Sequence, residues 1–134
     1  MNLQHTSLEI RREDEAAEIA FWALLGFDHV DVPEGLRGVA AWVASNGTHI
    51  HLLYDDAPTV APRGHVAILA DDYEATVEGV REAGFDFRPD EELWGVPRGF
   101  VRTRFFPRAI DRNVPRSRRV GKRCLGRDTV HVSG

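Results

Sequence analysis

Cysteine is almost missing: Cys124 is the only one in 134 residues. A single thiol cannot close a disulfide within the chain and excludes a Cys-rich zinc module, which points to a reducing, cytoplasmic setting. Long apolar runs are missing too. None approaches the ~18 residues that a bilayer-spanning helix needs, so no membrane partner is expected. The first residues, Met1 to His5, lack the basic start and apolar stretch of a secretory signal. What is present is a globular composition, 43% hydrophobic and 28% charged. That suffices for a buried core in one domain or two small fused modules.

The formal net charge of -4 averages two unlike segments. Residues 1–97 carry 6 Arg or Lys against 19 Asp or Glu, whereas residues 98–134 carry 11 against 2. A basic C-terminal segment raises the possibility of nucleic-acid binding. Here it has neither helical nor strand periodicity, and no aromatic platform beyond Phe105-Phe106. An irregular Arg-rich tail over 113–134 is therefore expected, with nucleic acid not an expected partner.

Along the chain, Leu3–Ile10 alternates as a strand, with Leu3, His5, Ser7 and Glu9 on one face. Glu13-Asp14-Glu15 opens a helix at its positive end. Ala16, Ile19, Ala20, Ala23 and Leu24 give the helix its apolar face, and Gly26 stops it. Short strands are predicted at Phe27–Val32 and Leu36–Ala44. Asn46-Gly47 is a hairpin signal that leads into a strand over Thr48–Tyr54. After a Pro-containing linker the order restarts. His65–Ala70 reads as a strand, and Asp71 or Asp72 caps a helix that Gly84 ends. Phe85–Arg88 reads as a strand, Gly95-Val96-Pro97 as a turn and Arg98–Arg104 as a strand. Gly26-Phe27-Asp28 returns as Gly84-Phe85-Asp86 after 58 residues, which indicates a duplicated βαβββ unit. The second copy should close with a strand within about 105–115, where Pro107 makes Phe105–Asp111 a poor candidate.

Of the 6 histidines, three fall at matching places in this scheme: His5 and His65 at the first strands, His51 in the last strand of the first copy. Curled into one barrel-like sheet, the two copies would gather them, and neutral imidazoles suit a divalent ion with open positions. His49 shares the strand face of His51, so either could ligate while the other meets substrate. A lone histidine on a strand is more commonly a hydrogen-bonded residue than a ligand, and His29 and His131 are read that way. Trp42, Trp94 and Phe100 could line an apolar pocket. No residue stands out as a general base, so catalytic residues are not assigned.

The stretches Leu3–Leu8, Phe21–Phe27, Thr48–Leu53, Gly64–Ile68, Asp71–Phe85 and Trp94–Arg102, in that order and spacing, resemble the vicinal oxygen chelate superfamily. This superfamily contains glyoxalase I, extradiol dioxygenases and bleomycin-binding proteins. The resemblance implies an α+β fold of two tandem βαβββ modules forming a half-open barrel-like sheet. One glyoxalase-like domain over 1–112 would have modules at about 1–55 and 64–112. It implies a divalent ion (Zn, Ni, Fe or Mn) held by His5, His51 and His65, with a small-molecule substrate and a homodimer. It also implies a Glu in the closing segment, and there the pattern fails: no Glu follows Glu92. A shifted reading frame near residue 103 would produce this, as would a divergent C-terminus in which Asp111 supplies the carboxylate. The expected function is therefore a metal-dependent lyase, isomerase or dioxygenase acting on a small oxygenated molecule, impaired if the Glu strand is lost. The alternative is a metal-free drug- or metabolite-binding protein of the bleomycin-resistance type.

Overall fold

The computed structural model describes residues 3–59, 64–102 and 129–133, and the chain divides into two compact units, Met1–Thr59 and Val60–Gly134. In the first, β1 (His5–Ile10) leads into α1 (Glu15–Leu24), followed by β2 (Asp28–Val30), β3 (Ala40–Ser45) and β4 (Thr48–Tyr54). In the second, β5 (Val66–Leu69) leads into α2 (Tyr73–Glu82), β6 (Asp86–Leu93), β7 (Val96–Arg102) and β8 (Thr129–Ser133). Each unit is a βαβββ module with one four-stranded mixed sheet, ordered β1-β4-β3-β2 and β5-β8-β7-β6. In both, the first and last strands pair in parallel and the remaining pairs are antiparallel.

The strands alternate between two environments. Ile50 and Leu52 of β4, Val43 of β3 and Ile10 of β1 are buried together with Phe21 and Trp22 of α1. Trp22 meets Phe27 edge to face at 5.5 Å, fastening the helix end to the start of β2. In the second unit Val77 and Val80 of α2 are buried, as are Phe87, Val101, Val130 and Val132 of the sheet. The helix signals act as expected. Asp72 caps α2 by accepting a hydrogen bond from the Ala75 amide at 2.9 Å, and Gly26 and Gly84 take the left-handed conformation that ends each helix.

Two expectations are corrected. The turn predicted at Gly95-Val96-Pro97 lies one residue earlier: Trp94 and Gly95 both have positive φ and form a two-residue turn, with Leu93 paired to Val96. Pro97 is thereby inside β7, and β6 runs through Pro89 to Leu93, which an edge strand tolerates. The strand that closes the second sheet is β8, not a strand within 105–115, and that stretch lies outside the described residues. The end of the segment expected as an irregular tail is thus regular structure, because Val130 and Val132 alternate into the core. Register shows why this strand lies beyond the spacing of the repeat. Trp42 and Phe100 hold equivalent positions 58 residues apart, whereas their paired residues, His51 and His131, are 80 apart. The second unit therefore has 22 more residues between those strands than the first.

Candidate functional site

Because Ile50 and Leu52 point into the core, His49 and His51 must lie on the opposite, open face of the first sheet. Trp42 sits directly across from His51 on β3, and Ser7 sits across from it on β1, with His5 two residues before Ser7. The rings form a ladder over three strands. Trp42 and His51 stack with centroids 3.9 Å apart and planes 5° from parallel. His51 and His5 stack at 4.4 Å and 11°. His49 stands edge-on to both Trp42, at 5.8 Å, and His51, at 6.0 Å. His5, at the outer end, is exposed, and its Nδ1 lies beside the Gln4 Oε1.

Burial sets the protonation of the middle ring. Desolvation holds the His51 pKa below the ordinary imidazole value, and His5 and His49 push the same way. His51 is therefore neutral at pH 7. Its Nε2, the His49 Nδ1 and the Trp42 Nε1 are buried with no hydrogen-bond partner. Each such orphan costs about 1–3 kcal/mol, a cost that a ligand drawing these rings into new bonds would relieve.

The second unit repeats the strand positions but not the stacking. Phe100 is opposite His131, and His131 is opposite Ala67, two residues after His65. The Phe100 and His131 rings are 5.1 Å apart, and His65 meets each of them edge to face at 6.0 Å. Burial lowers the His131 pKa, helped by Arg98 and His65. The sequence alone groups His131 with ordinary hydrogen-bonded histidines, yet by register it is the counterpart of His51. The signal was in the sequence: Val130-His131-Val132 repeats the apolar-His-apolar pattern of Ile50-His51-Leu52.

His5 and His51 thus stand together in the first unit with Trp42 and His49, while His65 stands in the second with Phe100 and His131. Trp94 does not line a pocket, because at the tip of the β6–β7 turn it is 95% exposed. Asp111 lies outside the described residues. The donor types present, imidazoles with orphaned nitrogens on His49 and His51, are those of a divalent-metal site. The geometry is not. An imidazole lone pair lies in its ring plane, so the stacked rings of His5 and His51 aim theirs along separate parallel planes rather than at one ion. Among the described residues no three His, Cys, Asp or Glu side chains are grouped to hold a metal.

No family model matches the sequence, and no curated protein matches it. Solved structures do. A glyoxalase family protein from Bacillus anthracis matches with a TM-score of 0.74 at 15% identity, covering 99% of this chain and 93% of that one. Lactoylglutathione lyase from Agrobacterium tumefaciens matches at 0.63 and 14%, covering 98% and 92%. TnmS3, an antibiotic binding protein from Streptomyces sp. CB03234, matches at 0.64 and 17%, covering 98% and 93%. The chain has the fold of the glyoxalase/bleomycin resistance protein/dioxygenase superfamily, the vicinal oxygen chelate superfamily. That fold serves both enzymes and binding proteins among these neighbours, so the choice between them rests on the site.

Proposed function

We propose that this chain is a small-molecule-binding protein that recognises a planar ligand through rings rather than through a resident metal ion. The observation that carries this reading is the Trp42–His51–His5 ladder, with spacings of 3.9 and 4.4 Å. Aromatic pairs of this kind contribute about 0.5–1.5 kcal/mol each beyond area burial, and the exposed outer ring of His5 offers the next stacking surface. Neutral His51 supports it, since an uncharged imidazole stacks between the other rings without the cost of burying a charge. The antibiotic-binding neighbour makes a drug or metabolite a reasonable ligand class. The test is a fluorescence and calorimetric screen of flat aromatic compounds against protein held in EDTA. Binding that survives EDTA and is lost in Trp42→Ala and His5→Ala supports the proposal, and binding that requires added metal overturns it.

A second reading, a metal-dependent lyase, isomerase or dioxygenase, is favoured by one observation: the orphaned nitrogens of His49 and His51. It takes His5, His51 and His65 as the ligands that the resemblance implies, with Asp111 or His49 as the candidate for the fourth position. Protein purified without chelator would then contain near-stoichiometric divalent ion, and His5→Ala and His65→Ala would lose it. The stacked pair would have to separate for this. A homodimer and a cytoplasmic setting belong to either reading.

A further inference from the structure

In the second unit, a groove of about 540 Å³ runs between α2 and β6. Its floor is apolar: Val77 and Phe87 are buried, Tyr73 is half-buried with its ring 6.2 Å from Phe87, and Pro89 extends the strip along β6. Its rim is acidic. Glu74, Glu78 and Glu82 recur every four residues along α2, all exposed, and among the described residues none of them is in an ion pair. Arg81, the cation among the described residues that line the groove, lies over the Phe87 ring at 5.1 Å rather than in an ion pair with the stripe.

We propose that this groove docks a basic amphipathic helix of a partner protein. Carboxylates at i, i+4 and i+8 are about one helical turn apart. Lys or Arg repeated at the same interval on a second helix would meet all three at once. Apolar side chains between those bases would pack on the Tyr73 ring and Pro89, above the buried Val77 and Phe87. The match is of charge as well as shape: three exposed carboxylates, in no ion pair among the described residues, flank a groove whose accessible apolar surface is the half-buried Tyr73 ring and the exposed Pro89. Helix-in-groove docking of this kind reads anchors at i, i+3 or i+4, and i+7.

The test uses the full chain and a fluorescein-labelled 18-residue Lys/Leu amphipathic peptide, followed by anisotropy at low and physiological salt. Replacing all three rim charges (Glu74→Gln, Glu78→Gln, Glu82→Gln) should weaken binding roughly tenfold, as expected for three exposed ion pairs. The same number of charges removed from the first unit (Asp28→Asn, Asp31→Asn, Glu34→Gln) should change it less than about twofold. Amide chemical-shift changes should concentrate in α2 and β6. Equal weakening by the two triple variants would show bulk electrostatics and overturn the proposal. So would the absence of peptide binding at low salt, equal binding of a Glu/Leu peptide, or occupation of the groove by a small aromatic amine alone.

Discussion

Gly99 gives the most direct test of how the second unit is assembled. It lies in the middle of β7, paired with Pro89 on β6 and Val132 on β8, and is buried. A Cβ placed there would lie 2.6 Å from the Arg88 carbonyl oxygen and 2.8 Å from the Phe87 Cε2, with the Phe87 Cζ closer still. The ring can turn aside, but the carbonyl is fixed by the sheet. Gly99→Ala should therefore show an overpacking cost of about 1–3 kcal/mol. Alanine's reduced freedom in the unfolded chain returns only about 0.4–1 kcal/mol. For a unit of this size the melting point should fall by about 4–8 °C per kcal/mol. Urea and thermal unfolding followed by circular dichroism would measure it. Phe87→Leu removes the part of the clash due to the ring but not the part due to the carbonyl. The double variant should accordingly lose less than the two single losses combined, yet stay below Phe87→Leu alone. A Gly99→Ala protein within about 0.5 kcal/mol of the parent would refute the packing of Phe87 across β7.

Three further outcomes follow from the same geometry. His51 and His131 both have pKa values held below the unfolded value near 6.5. The unfolded chain binds their protons first, so stability is full above pH 6.5 and declines as pH falls toward the folded pKa values. A urea-midpoint series over pH should show this slope reduced in His51→Phe with His131→Phe. Trp94 has φ of 57° and almost no contact, so Trp94→Asn, which suits a two-residue turn before Gly95, should leave ligand binding unchanged and raise stability by up to about 1 kcal/mol. Asp72→Ala removes the cap on the Ala75 amide and should cost about 1 kcal/mol, read as a lower urea midpoint.

The two rings of the ladder that touch most closely, Trp42 and His51, face each other across β3 and β4 because Asn46 and Gly47 both adopt positive φ. That two-residue turn fixes the register, and a slip of one residue would send His51 into the core and Leu52 outward. In the second unit Phe100 and His131 reach the same register although 22 more residues separate them, so there the pairing rests on Val101, Val130 and Val132 in the core. One geometry is thus specified locally in the first unit and by long-range packing in the second.

The amino-acid order alone determined the repeated βαβββ plan, the helix ends at Gly26 and Gly84, a cap at Asp71 or Asp72, and the shared face of His49 and His51. Each depends on contacts within a few residues, where side-chain period and backbone preference act directly. Only tertiary structure decided which strand closes the second sheet, because pairing across a long connection is chosen by burial of Val130 and Val132 rather than by proximity in the chain. It also decided that His131 is the counterpart of His51, and that Trp94 stands in solvent. Above all, it set the angle between imidazole rings. Spacing places His49 and His51 on one strand face, but whether the lone pairs of His5 and His51 converge on an ion or their faces stack against Trp42 is settled by how neighbouring strands pack.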